Sequence, residues 1–178
     1  MQTYILDEMR CMEWVDEFYN ERYSSFRLKK KPKLPEISIV YDDKTTIRGG
    51  ATQIEEGWEI KNFLVITKNP PEIMEYICYH EGSHILHRIS NPITSFWDEE
   101  SNKDEKKELV KEVVADTSTL TYLNGRSNFK RFLEIAEENK NGTYIDYVRK
   151  ELKRGEKRLR NLIKMHPDKA YKSIVGVK

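Results

Sequence analysis

Cysteine is nearly missing from this chain: of 178 residues, only Cys11 and Cys78 carry a thiol. Two thiols are too few for the disulfide framework of a small secreted domain, so they read as reduced and point to the cytoplasm. Also missing is any apolar run near the roughly 20 residues that a membrane helix needs. The opening stretch carries Asp7, Glu8 and Glu13 and lacks the basic-then-apolar order of a secretion signal. Neither sign of charge dominates, with 31 Lys plus Arg against 30 Asp plus Glu, so average charge selects no class of partner. No internal repeat is visible, and the length suits one domain. Histidine is scarce too, at four residues, which makes their placement informative.

What is present falls into three parts. Residues 1–30 form a helical segment, with Tyr4, Ile5, Met9, Met12, Val15, Phe18 and Tyr19 at three- and four-residue steps. Lys29 to Pro35, with Pro32 inside it, reads as a linker. Residues 37–123 form the core. Short extended runs at Ile37–Tyr41, Thr46–Ile54, Trp58–Ile60 and Phe63–Thr67 predict a small, mostly antiparallel sheet. Asn69 as N-cap and Pro70 at the first helical position then open a helix reaching about Ile89. After a loop over 91–101, a second helix runs from about Asn102 to Leu123 and closes at Asn124-Gly125. Residues 127–178 are a helical extension, with helices near 127–140 and 143–165. The order of helix, sheet and helices predicts an α+β fold in a single domain.

That extension is basic: from Arg149 to Lys178 there are eleven Lys or Arg against Glu151, Glu156 and Asp168. Such a run reads first as a solvated helix face, with nucleic-acid contact as the less favoured alternative.

The chemistry concentrates at His80-Glu81-Gly82-Ser83-His84, the pattern H-E-x-x-H. On a helix, residues four apart differ by about 40° in direction and about 6 Å in height, so both imidazoles reach one metal ion. Glu81, about 100° round from His80, is placed to take a proton from a water at that metal rather than to ligate it. With this composition the pattern arises by chance in roughly one shuffled chain in a hundred. A catalytic zinc needs a third protein ligand. The second helix offers Glu112 for that role and Asp116, four residues on, to accept a hydrogen bond from a ligand histidine. Glu108 is a weaker candidate ligand. His87 lies too far along the axis to share the metal and reads as core or support, as does Cys78. Cys11 reads as a buried thiol, with blocking of the metal as its alternative role. His166, Tyr122, Tyr144 and Tyr147 are candidates to share oxyanion charge.

H-E-x-x-H followed by E-x-x-x-D on a second helix resembles the gluzincin metallopeptidases. Within that group, residues 80–87 look like the signature of the ImmA/IrrE-type and HtpX-type peptidases. Residues 48–52 and 63–67 are similar to their sheet region. The absence of membrane-spanning segments favours a soluble relative such as the small archaeal minigluzincins. The resemblance implies a zincin-like fold, a sheet packed on the active-site helix and on a second, ligand-bearing helix. It implies a Zn2+ cofactor held by His80, His84 and Glu112, with Glu81 as general base and Asp116 supporting. It further implies that the edge strand at Gly50, Ala51 and Thr52 pairs with an extended peptide or protein substrate. Two imidazoles and a carboxylate favour zinc over manganese or cobalt. The alternatives are a latent or non-catalytic zinc-binding regulatory protein, and a nucleic-acid-associated protein using its basic C-terminal helix.

Overall fold

The computed structural model describes residues 8–40, 50–54, 57–63, 70–91, 104–138 and 141–177. In chain order these form α1 (Glu8–Arg22), β1 (Glu36–Val40), β2 (Gly50–Ile54), β3 (Gly57–Phe63), α2 (Pro71–Ser90), α3 (Glu105–Leu123), α4 (Phe129–Glu138), α5 (Gly142–Leu162) and α6 (Pro167–Val175).

Among the described residues the molecule is predominantly helical, and this corrects the α+β, zincin-like expectation of a mostly antiparallel sheet. Six helices carry the core, and the three strands are short. They run in the order β1-β3-β2, with β1 parallel and β2 antiparallel to β3, so the pairing is mixed. Residues 41–49 and 64–69, which hold Arg48, Gly49 and the expected run Leu64–Thr67, lie outside the described residues, as do Asn69 and most of the expected 91–101 loop.

α2 is the hub. Pro70 caps it and Pro71 sits in its first turn, where a missing N–H costs nothing. Glu72 at its start and Arg88 at its end complement the helix dipole. Its buried residues include Ile73, Met74, Tyr76, Ile77, Cys78, Tyr79, Ile85 and Leu86, spread around the whole circumference. A helix apolar on all sides must be enclosed, and α1, α3, α4 and the strands β2 and β3 pack around it. Each fully buried Ile or Leu, such as Ile85 and Leu86, contributes about 1.5–3 kcal/mol of transfer free energy.

Gly82, the third residue of the H-E-x-x-H pattern, faces α1. A Cβ there would stand 3.4 Å from Phe18 Cδ1 and 3.5 Å from Tyr19 Cε1. Two aromatic rings of α1 thus lie against the motif's back, at a distance where a methyl group would make ordinary van der Waals contact.

α3 runs alongside α2 and is covered on its other sides by α5 and α6. The α5–α6 pair is fastened by Glu151, whose fully buried carboxylate accepts from Arg154 Nη1 at 2.6 Å and Arg158 Nε at 2.9 Å. Arg158 also donates to Ser173 Oγ on α6 at 2.7 Å. Within α5, Gly155 adopts φ 77° and ψ 179°, which breaks the helical path and kinks it. A side chain is strained in that conformation. No helix among the described residues is long and apolar enough to cross a membrane.

Candidate metal centre

Four-residue spacing on α2 brings Tyr76, His80 and His84 onto one face, and the same spacing on α3 brings Glu112 and Asp116 opposite them. His80 Nε2 and His84 Nε2 are 3.1 Å apart. His80 Nε2 is 3.5 Å from Glu112 Oε2, and His84 Nε2 is 3.1 Å from Glu112 Oε1. One ligand atom from each residue lies within 4.8 Å of the others, and together they could hold a metal ion. Bonds of about 2.0–2.1 Å from zinc to nitrogen or oxygen put tetrahedral ligands about 3.3 Å apart. The two carboxylate distances end on different Glu112 oxygens, and all three separations are close to that edge, so the donor set is compatible with a small cation.

The electrostatics fit as well. Burial disfavours charge on the His80 ring, yet Asp116 and Glu112 outweigh it and hold its pKa well above the ordinary histidine range. Burial alone would raise the Glu112 carboxyl, but His80 and His84 pull it well below the usual range. The negative charge of Asp116 and Glu112 that favours positive charge on His80 favours a cation beside it as well.

Asp116, 1% exposed, fixes how His80 presents itself. His80 Nδ1–H donates to Asp116 Oδ1 at 2.5 Å. Once a cation takes the place of a proton at Nε2, the Nδ1–H bond to Asp116 keeps the Nε2 lone pair facing Glu112 and His84. The Tyr76 hydroxyl donates to the same oxygen at 2.8 Å and the Tyr144 hydroxyl to Oδ2 at 2.5 Å.

Glu81 is buried, and burial raises its carboxyl above the usual range while His80 and His84 pull it back. A carboxylate with raised proton affinity beside a cation site suits a general base.

The remaining candidates fall elsewhere. Glu108 binds Lys111 Nζ at 2.5 Å and stands outside the ligand cluster. Cys11 and Cys78 are buried in the core. His87 is buried, 1% exposed, against Phe26. His166 is exposed at the start of α6, facing Asp168. The Tyr122 hydroxyl accepts from Arg126 Nη2 at 2.9 Å, and Tyr144 is occupied by Asp116. Gly50, Ala51 and Thr52 lie on β2, which pairs with β3 on one side and packs against α2.

Sequence reasoning missed the support given to Asp116 by two tyrosines. Tyr76 precedes His80 by one turn, so helical spacing places it on the metal face. Tyr144 arrives from α5 by tertiary packing, with no local signal. Comparison of the chain with family models, with curated proteins and with solved structures found no match.

Proposed function

We propose that this chain is a zinc-dependent peptidase with a gluzincin-type ligand set, His80, His84 and Glu112. The observation that carries this reading is the convergence of those three side chains within reach of one cation, with the buried Glu81 next to His80. Two imidazoles and one carboxylate match zinc's preference. When bound, zinc supplies Lewis acidity that polarises a carbonyl and acidifies water.

The chain's own groups supply the proton traffic. Glu81 takes a proton from the attacking water as its oxygen bonds to the scissile carbonyl carbon. It then hands that proton to the amine nitrogen as the C–N bond breaks. Burial serves both halves of the cycle, because it raises the proton affinity of Glu81 towards that of the partners it exchanges with. β2 offers an unpaired backbone edge at Gly50, Ala51 and Thr52 among the described residues, suited to hold an extended peptide as an added strand.

Glu81→Gln tests the proposal. The variant keeps the ligands and the shape of the base, so zinc content stays at the wild-type level. Turnover of a peptide substrate falls by at least about 100-fold, the usual contribution of a general base. Peptide cleavage by Glu81→Gln at the wild-type rate removes Glu81 from the mechanism.

A further inference from the structure

Behind the three metal-facing side chains, Asp116 gathers donors from two further places in the fold. Its Oδ1 accepts from His80 Nδ1 and from the Tyr76 hydroxyl, both on α2; its Oδ2 accepts from the Tyr144 hydroxyl in the first turn of α5. Building on the zinc reading of the site, we propose that Tyr144 and Tyr76 are positioning residues for the metal. They lock the Asp116 carboxylate in the orientation that aims His80 Nε2 at the shared ligand point, so that metal affinity depends on the docking of α5.

The physical reason lies in the softness of a carboxylate. Rotation of an aspartate about its last torsion is broad, with no sharp wells to hold it. One hydrogen bond to His80 leaves that rotation open, and the imidazole turns with its partner. A second donor on the opposite oxygen closes it. Tyr144 is that donor, and its own place is fixed: its backbone N–H donates to the N-cap side chain, Asn141 Oδ1, at 2.8 Å. Its ring is 6% exposed, with α5 packed along α3. Tyr76 shares Oδ1 with His80 and braces the carboxylate from the α2 side. Burial, reinforced by the charge of Asp116, raises both phenols well above the ordinary tyrosine range, so both remain O–H donors. Neither hydroxyl is available to a substrate, which separates this role from oxyanion stabilisation. α5 is then part of the metal centre rather than an appendage to it.

The test uses the full chain with Tyr144→Phe, Tyr76→Phe and, as control, Tyr147→Phe, a partly buried tyrosine on the same helix α5. Zn2+ affinity is measured by competition with a chelator, and the Nδ1–H resonance of His80 is followed in the zinc-loaded protein. Partners behind a ligand histidine are worth about 10–100-fold in metal affinity. Tyr144→Phe and Tyr76→Phe are each expected to weaken zinc by about tenfold and to shift the His80 resonance, while Tyr147→Phe does neither. If Tyr144→Phe does not fold, Tyr76→Phe decides alone. Unchanged affinity and an unmoved resonance overturn the inference. Neither readout needs hydrolysis. Weakened zinc in the variants of a protein that cleaves nothing supports the positioning role and removes the peptidase reading. Hydrolysis with zinc affinity indifferent to both hydroxyls removes the positioning role alone.

Discussion

His87 lies one turn past His84, sealed against Phe26 in the core. Burial, with help from His84 and Lys111, pushes its pKa down to about 3. In the unfolded chain a histidine titrates at about 6.5. Between those values the unfolded chain binds a proton here and the folded chain does not. Stability therefore falls as pH falls through this window, by up to about 1.4 kcal/mol per pH unit from this group alone. His87→Leu removes that contribution. Urea unfolding between about pH 6.5 and 4 is expected to show a shallower loss of stability for the variant. An equally steep loss would mean that His87 is protonated in the folded state. At this scale much was legible beforehand. The spacing of His80, Glu81 and His84 is local, and so is that of Glu112 and Asp116. What joins the two sets is the packing of α2 on α3, which no spacing rule contains. Tyr144 shows the same limit more sharply, since it stands 28 positions from Asp116.

The helices show where local signals suffice and where they fail. α3 starts at Asp104, whose side chain accepts from Lys106 N at 3.0 Å and Lys107 N at 3.4 Å. Two otherwise orphaned donors are thereby satisfied at the end of the helix that carries Glu112. Asp104→Ala is expected to cost about 1 kcal/mol of stability, read by chemical denaturation, without removing the metal ligands. A variant as stable as wild type would mean that water replaces the cap at no cost. The sequence reading starts this helix two to three residues early because Asn102 and Asp104 are both good caps. α6 escapes that reading, although Pro167 at its start and Gly176 at its end are the expected punctuation. Met9 and Met12 fit the apolar stripe of α1 by spacing, yet they are 70% and 40% exposed, while Cys11 and Trp14 turn inward. Alternating runs between residues 37 and 67 suggest a sheet large enough to define the fold; the described strands are short and helices make up most of the described residues. The basic run of α5 is largely engaged within the molecule. Arg149 pairs with Glu137, Arg154 and Arg158 with Glu151, and Arg160 with Glu156.

Across the whole molecule, the helices meet where charge is concentrated. α2 brings two imidazoles and the Glu81 carboxyl, α3 brings Glu112 and Asp116, and α5 brings Tyr144. The buried Asp116 and the partly buried Glu112 beside two histidines are costly unless compensated by a proton or a cation. An ion held there would tie α2 to α3 through its ligands, with α5 joined through Asp116. The proposed hydrolysis and the positioning role of Tyr76 and Tyr144 both depend on a cation at that point. The direct measurement is elemental analysis of the purified full chain beside His84→Ala, each loaded with zinc and freed of loosely held metal. One zinc per wild-type chain and none in the variant is the predicted result. Metal absent from wild type, or equal in both proteins, would contradict the account.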